Sequence, residues 1–206
     1  MKKFELTSEF ITNVFGTKLF RIRALVEFGN VKAGDLGGYI EKEENLDQGG
    51  DAWVYGDAQV YGDAQVCGDA WVYGDARVYG DAWVYGDAWV YGDAQVCGDA
   101  WVYGDARVYG NARVYGDAQV YGDAQVSGNA RVSGDADYAC AHGFGSVYRT
   151  TTFFRLEDGG IGVRCGCFYG TLQEFRDKVR ATHKETKKAK EYLMLADLME
   201  LRFAKE

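Results

Sequence analysis

The chain has 206 residues, of which 47% are hydrophobic, with no proline and a formal net charge of −8. That apolar fraction excludes a disordered polymer, and the acidic balance excludes a protein that grips nucleic acid by neutralising its phosphates. No run approaches the length of apolar sequence that a membrane-spanning helix needs.

In chain order, Met1-Lys2-Lys3-Phe4-Glu5 leads into no apolar signal segment, which points to a cytoplasmic protein. Residues 1–36 read as a small β cap, with strand-like alternation from Lys18 to Phe28 and turns at Gly16 and Gly29-Asn30. Ile40 and Leu46 stand six residues apart, and a two-residue slip separates them from Val54, so an irregular first coil begins near Gly37. Fourteen valines then recur at strict six-residue spacing from Val54 to Val132, with alanines two positions ahead of each slot from Ala52 to Ala136. A short fixed period without a 3.6-residue rhythm means a solenoid, in which each unit buries its apolar side chain only by stacking on its neighbours. Residues 37–138 form this solenoid, with Val and Ala inward, their flanking residues outward, and Gly-Asp pairs such as Gly56-Asp57 at the corners.

An apolar residue followed four positions later by a small one is similar to the pattern of hexapeptide-repeat proteins. The resemblance implies a mainly β chain built on a left-handed parallel β-helix, with three hexads in each 18-residue triangular coil. Folded at that period, the position before each valine separates into three outward columns. One stacks Trp53, Trp71 and Trp89, then Arg107 and Gln125, with Tyr55, Tyr73 and Tyr91 as companions two residues on. A second carries Gln59, Arg77, Gln95, Arg113 and Arg131. The third carries Gln65, Trp83, Trp101 and Gln119 beside Tyr85 and Tyr103.

Stacked aromatics stabilise neighbouring strands by about 0.2–1 kcal/mol a pair, which is one account of the columns. The other is that rows of Trp and Tyr make a patch larger than a monomer tolerates, so that a cap, a further subunit or a partner covers it. The Asp corners read as turn-forming residues facing water, with cation binding or mimicry of a nucleic-acid backbone as alternatives.

Residues 139–206 form a C-terminal hairpin and helical cap. Ser146–Leu156 and Ile161–Tyr169 flank the turn signal Glu157-Asp158-Gly159-Gly160, and Thr171-Leu172-Gln173-Glu174 is a capping box. Two helices follow, dividing near Thr182-His183, the second with an apolar side of Leu193, Leu195, Ala196, Leu198, Met199 and Leu201 that needs the hairpin or a solenoid face as partner. The five cysteines read as reduced thiols; Cys165-Gly166-Cys167 is too short for a zinc knuckle, and its two thiols are expected on one side of a strand, filling the hairpin core.

The run Leu19–Leu25, then Gly34-Asp35-Leu36-Gly37-Gly38-Tyr39-Ile40, Asn45-Leu46 and Asp51-Ala52-Trp53-Val54 resembles the YdcK-like hexapeptide-repeat proteins of bacteria and phages, over roughly residues 4–136. Members commonly carry the label of acyltransferase. The resemblance implies, for an enzyme, a histidine base near a subunit interface and an acyl-CoA donor; here His142 is the sole candidate base, and neither His142 nor His183 lies in a coil. The expected function is a non-catalytic binding or scaffold protein that uses its aromatic faces, with no cofactor and no metal. Its partner is a second copy in a dimer or trimer, a host protein sequestered by a phage-derived inhibitor, or both. The alternatives are an acyl-CoA-dependent acyltransferase and small-ligand capture between subunits.

Overall fold

The computed structural model of the chain describes residues 2–145 and 148–204. Strands β1 (Phe4–Thr12) and β2 (Lys18–Ala24) make an antiparallel hairpin with Phe4 opposite Ala24 and Thr12 opposite Lys18. Strand β3 (Leu36–Ile40) is antiparallel to β2 on one side and parallel to the first solenoid strand on the other, pairing Tyr39 with Gln59 and Ile40 with Val60. The N-terminal cap is thus continuous with one solenoid face in an eight-stranded sheet. The strand expected over Lys18–Phe28 stops at Ala24, one residue before a last bond from Leu25 N–H to the Lys3 carbonyl (2.8 Å).

Ile40 and Leu46 sit beside Val60 and Val66, twenty residues on, whereas Val54 sits beside Val72, eighteen residues on. The two-residue slip therefore lies where the sequence puts it, and the regular β-solenoid of about five turns follows. Each strand pairs in parallel with its equivalent one coil later, in three sheets. Every valine from Val54 to Val132 and every alanine from Ala52 to Ala130 is fully buried in one continuous core. Full burial of such a valine is worth roughly 1.5–3 kcal/mol relative to exposure.

Both ends of the core are plugged. At the N-terminal end Phe4, Ile22, Ala24 and Val31 join the core beside Trp53. The buried Lys3 ammonium donates to the carbonyls of Gly49 (3.0 Å), Gly50 (3.3 Å) and Ala52 (3.0 Å), and buried Asn45 donates to those of Gly62 (3.0 Å) and Ala64 (2.8 Å). These bonds satisfy carbonyls that an open coil end would leave unpaired. At the other end Ala136, expected inside, is exposed in the short helical turn Asp135–Asp137. The core stops at Val132, and Tyr138, Phe154 and Leu156 close it.

The expected hairpin is the centre of a four-stranded antiparallel sheet in the order Tyr138–Phe144, Arg149–Arg155, Ile161–Cys165, Phe168–Thr171. Of the strand expected over 146–156, Arg149–Arg155 is observed, while Ser146 lies outside the described residues. The run expected as one strand over Ile161–Tyr169 folds back at Gly166, whose φ of +59° lets Cys165 pair with Phe168. Cys165 and Cys167 consequently do not share one side of a strand: Cys165 is half-buried against Thr151, and Cys167 is exposed in the turn. Alternation along Arg149–Arg155 turns Phe154 into the solenoid core and Phe153 toward the helices.

Helix α1 (Leu172–His183) starts at the predicted capping box, with Thr171 accepting from Glu174 N–H and Glu174 accepting from Thr171 N–H (2.7 Å). Helix α2 (Lys187–Arg202) packs mainly on α1 and on the Tyr138–Phe144 strand. It buries Ala189, Tyr192, Ala196 and Met199. Leu198 and Leu201 remain 55% and 74% exposed, so the apolar side read from the sequence is wider than the face that docks. Among the described residues no helix is long and apolar enough to cross a membrane.

Candidate functional site

Strand pairing assembles all three columns. Trp53, Trp71, Trp89, Arg107 and Gln125 are consecutive partners on the first face. Gln59, Arg77, Gln95, Arg113 and Arg131 line the second, and Gln65, Trp83, Trp101 and Gln119 the third. In-register parallel pairing sets like residues one strand spacing apart, about 4.8 Å. The tyrosines accordingly stack as parallel plates: Tyr73 on Tyr91 (4.8 Å, 1°), Tyr85 on Tyr103 (4.9 Å, 1°), Tyr61 on Tyr79 (5.0 Å, 2°). Burial in these stacks pushes the hydroxyls of Tyr61, Tyr73, Tyr85 and Tyr91 above the ordinary tyrosine range, and that of Tyr79, beside Cys97, up to about 12. They are neutral hydrogen-bonding groups at physiological pH.

The tryptophans are set against one another and against their neighbours. Trp83 stacks on Trp101 (6.0 Å, 25°), Tyr85 meets Trp101 edge-on (6.1 Å, 77°), and Arg107 lies over Trp89 (5.2 Å). Trp83, Trp89 and Trp101 are nonetheless 37%, 39% and 41% exposed. A partner surface that meets these indoles and the neighbouring tyrosine hydroxyls finds them already set beside one another.

Two of the predicted face residues are engaged by the caps. Trp53 is not on an open face: it is fully buried, with Phe28 (5.3 Å, 68°) and Phe4 (6.3 Å, 71°) edge-on against it, because the N-terminal hairpin folds over the first coil. Gly37 permits this, since a Cβ there would lie 2.7 Å from the Trp53 ring. Arg131 pairs with Glu157 of the C-terminal turn (2.9 Å) and donates to the Asn111 and Ala130 carbonyls (3.0 Å each), which fastens cap to coil. Trp71 is half-buried against the core, Tyr55 is exposed, and Arg77 and Arg113 are exposed with no carboxylate partner among the described residues. Arg164 was not legible as a face residue: from the C-terminal sheet its guanidinium covers Tyr109 (5.7 Å) and reaches Gln125 (3.3 Å). Strand alternation gave its presence on the sheet but not which surface that sheet would cover.

His142 stands in the Tyr138–Phe144 strand, outside the coils, where Nδ1 is 2.9 Å from the Thr150 hydroxyl and that hydroxyl is 3.5 Å from Asp123. The three line a small open cavity of about 210 Å³. A histidine, hydroxyl and carboxylate in series can relay a proton when the Nδ1 tautomer donates to the hydroxyl and the hydroxyl donates to Asp123. Burial pushes the Cys140 and Cys67 thiols above the ordinary cysteine range, which disfavours the thiolate that nucleophilic chemistry needs. The corner aspartates face solvent, and among the described residues no three His, Cys, Asp or Glu side chains converge as metal ligands.

The sequence profile of the YdcK Beta solenoid repeat matches residues 58–74, 70–86, 76–92, 94–108, 106–122 and 124–136. Residues 58–136 are thus similar to the YdcK β-solenoid repeat, within the stretch of roughly residues 4–136 over which the sequence resemblance was read. Nothing among curated proteins matches the chain.

Proposed function

We propose that this is a non-catalytic binding or scaffold protein, whose Trp83–Trp101 face and adjoining Trp71–Trp89 face dock a flat protein surface. The observation that carries the reading is the exposure of Trp83, Trp89 and Trp101, each more than a third open to solvent, on two ladders of in-register strands. Large rigid aromatics bury much area while losing little side-chain entropy, which is why Trp and Tyr dominate the energetics of interfaces. The occupant is a second copy of the chain, a host factor sequestered by the rod, or both in turn.

Light-scattering mass measurement and capture from a host lysate, on the wild type and the paired variant Trp83→Ser/Trp101→Ser, test this. The expected result is an oligomer or a captured partner with the wild type, and a bare monomer of unchanged secondary structure with the variant. A wild type that stays monomeric, captures nothing and turns over an acyl-CoA in a manner abolished by His142→Ala would overturn it in favour of an acyltransferase.

A further inference from the structure

A cavity of about 260 Å³ opens in the C-terminal unit, between the Cys165-Gly166-Cys167 turn and the two helices. It lies apart from the solenoid faces, and the docking role assigned to them makes no use of it. Its inner wall is aromatic: Phe175 meets Tyr192 edge-on (5.7 Å, 89°), Phe168 tilts against Phe175 (5.6 Å), and the His183 ring lies roughly parallel to Tyr192 (5.8 Å, 27°). Phe175 and Tyr192 are buried, so this wall is set by the core of the unit.

The rim is cationic. Arg149 and Lys178 line the cavity, both exposed, and neither has a carboxylate partner among the described residues, although Arg131, Arg155, Arg176 and Arg180 nearby in sequence all do. Gly166 is favoured where it stands by its φ of +59°, and its bare Cα leaves room for the Arg149 guanidinium beside the turn.

The surrounding charge agrees. Residues 139–206 hold twelve Lys and Arg against nine Asp and Glu, a formal +3, while residues 1–138 hold eleven against twenty-two, a formal −11. An anion is repelled by the rod and attracted by this one unit of the molecule.

We infer that this cavity binds a small aromatic carboxylate, its ring against Phe175, Tyr192 and His183 and its carboxylate between Arg149 and Lys178. The volume lies below the roughly 300 Å³ at which pockets for drug-sized ligands begin, so the ligand has one or two rings. Arg149 supplies the planar fork that matches a carboxylate, and Lys178 a second positive charge.

The test is calorimetric titration of the full chain with benzoate, cinnamate and indole-3-acetate, beside benzamide, cinnamamide and indole-3-acetamide as uncharged counterparts, with amide NMR shifts locating the contact. The inference expects at least one carboxylate to bind at least tenfold tighter than its amide and to shift the Gly166 and Cys167 resonances. Arg149→Gln, at an exposed position, should remove that tenfold preference at unchanged melting temperature, and Thr182→Phe should block carboxylate and amide alike. Absence of binding by all three carboxylates, equal binding of acid and amide, or affinity indifferent to Arg149→Gln would each overturn it.

Discussion

In the solenoid each buried contact repeats: Val72, Val90 and Val108 occupy the same surroundings one coil apart. In the C-terminal unit none does, for Phe153 meets Phe175 edge-on (6.1 Å, 89°), Phe154 plugs the coil end, and Tyr192 lies between Phe175 and His183. A repeated core spreads its stability over many equivalent units, so one defect is shared among neighbours. A core of unique contacts concentrates it, so one defect opens the whole unit. The difference extends to the surface, where the rod is acidic and uniform and the cap is basic and individual.

The largest expected effect breaks the junction between the two. Phe154 is fully buried where sheet meets coil, and Phe154→Ala should cost about 3–5 kcal/mol in chemical denaturation. Val96→Ala, equally buried in mid-rod, removes two carbons and should cost about 2 kcal/mol. Hydrogen exchange should then localise the first lesion to the cap and last coil and spread the second along the rod. Equal costs with equal spread would contradict the contrast.

Glycines give a finer comparison. Gly92 in the rod has φ +70° and faces Gly110 N at 3.1 Å from a built Cβ, whereas Gly159 in the cap has φ +83° with nothing within 4 Å. Gly159→Ala should show only the backbone strain, about 1 kcal/mol. Gly92→Ala adds a clash with the next coil and should cost more, read as a larger drop in denaturation midpoint.

The smallest effect is a pH dependence at the seam. Burial pushes the Asp137 carboxyl up, but hydrogen bonds from the Ser133 hydroxyl and N–H and the Arg155 guanidinium more than offset this and hold it below the usual aspartate value of 3.8. A carboxyl depressed in the folded state stabilises it above that value and loses the contribution as pH falls through the folded one. Cap docking should therefore weaken below about pH 4, and Asp137→Asn should flatten that limb of a melting-temperature profile.

Much of this was legible in the sequence because the rod is periodic. The columns of Trp, Arg and Tyr, the slip between Leu46 and Val54, and the buried valines all follow from counting by six and eighteen. Trp53 was misread because periodicity describes neighbours along the rod and says nothing about the hairpin from β1 and β2 that folds over its first coil. Ala136 failed for the same reason: the sequence keeps the beat for one hexad after Asp137, Ser133 and Arg155 have ended the coil. The aromatic cavity joins Phe175, His183 and Tyr192, from two successive helices, to Arg149 from a strand well before them, so no local spacing announces it. The signal within reach was the change in charge at residue 139.

The most direct test of the docking faces is hydroxyl-radical footprinting of the tryptophans in the full chain, read by mass spectrometry at dilute and assembling concentrations and in host lysate. In the dilute protein Trp83, Trp89 and Trp101 should label readily and buried Trp53 should not. With a partner or at assembling concentration, protection should fall on Trp83, Trp89 and Trp101 while exposed Tyr148 on the cap keeps its labelling. Tryptophans that label equally under all three conditions would contradict the account.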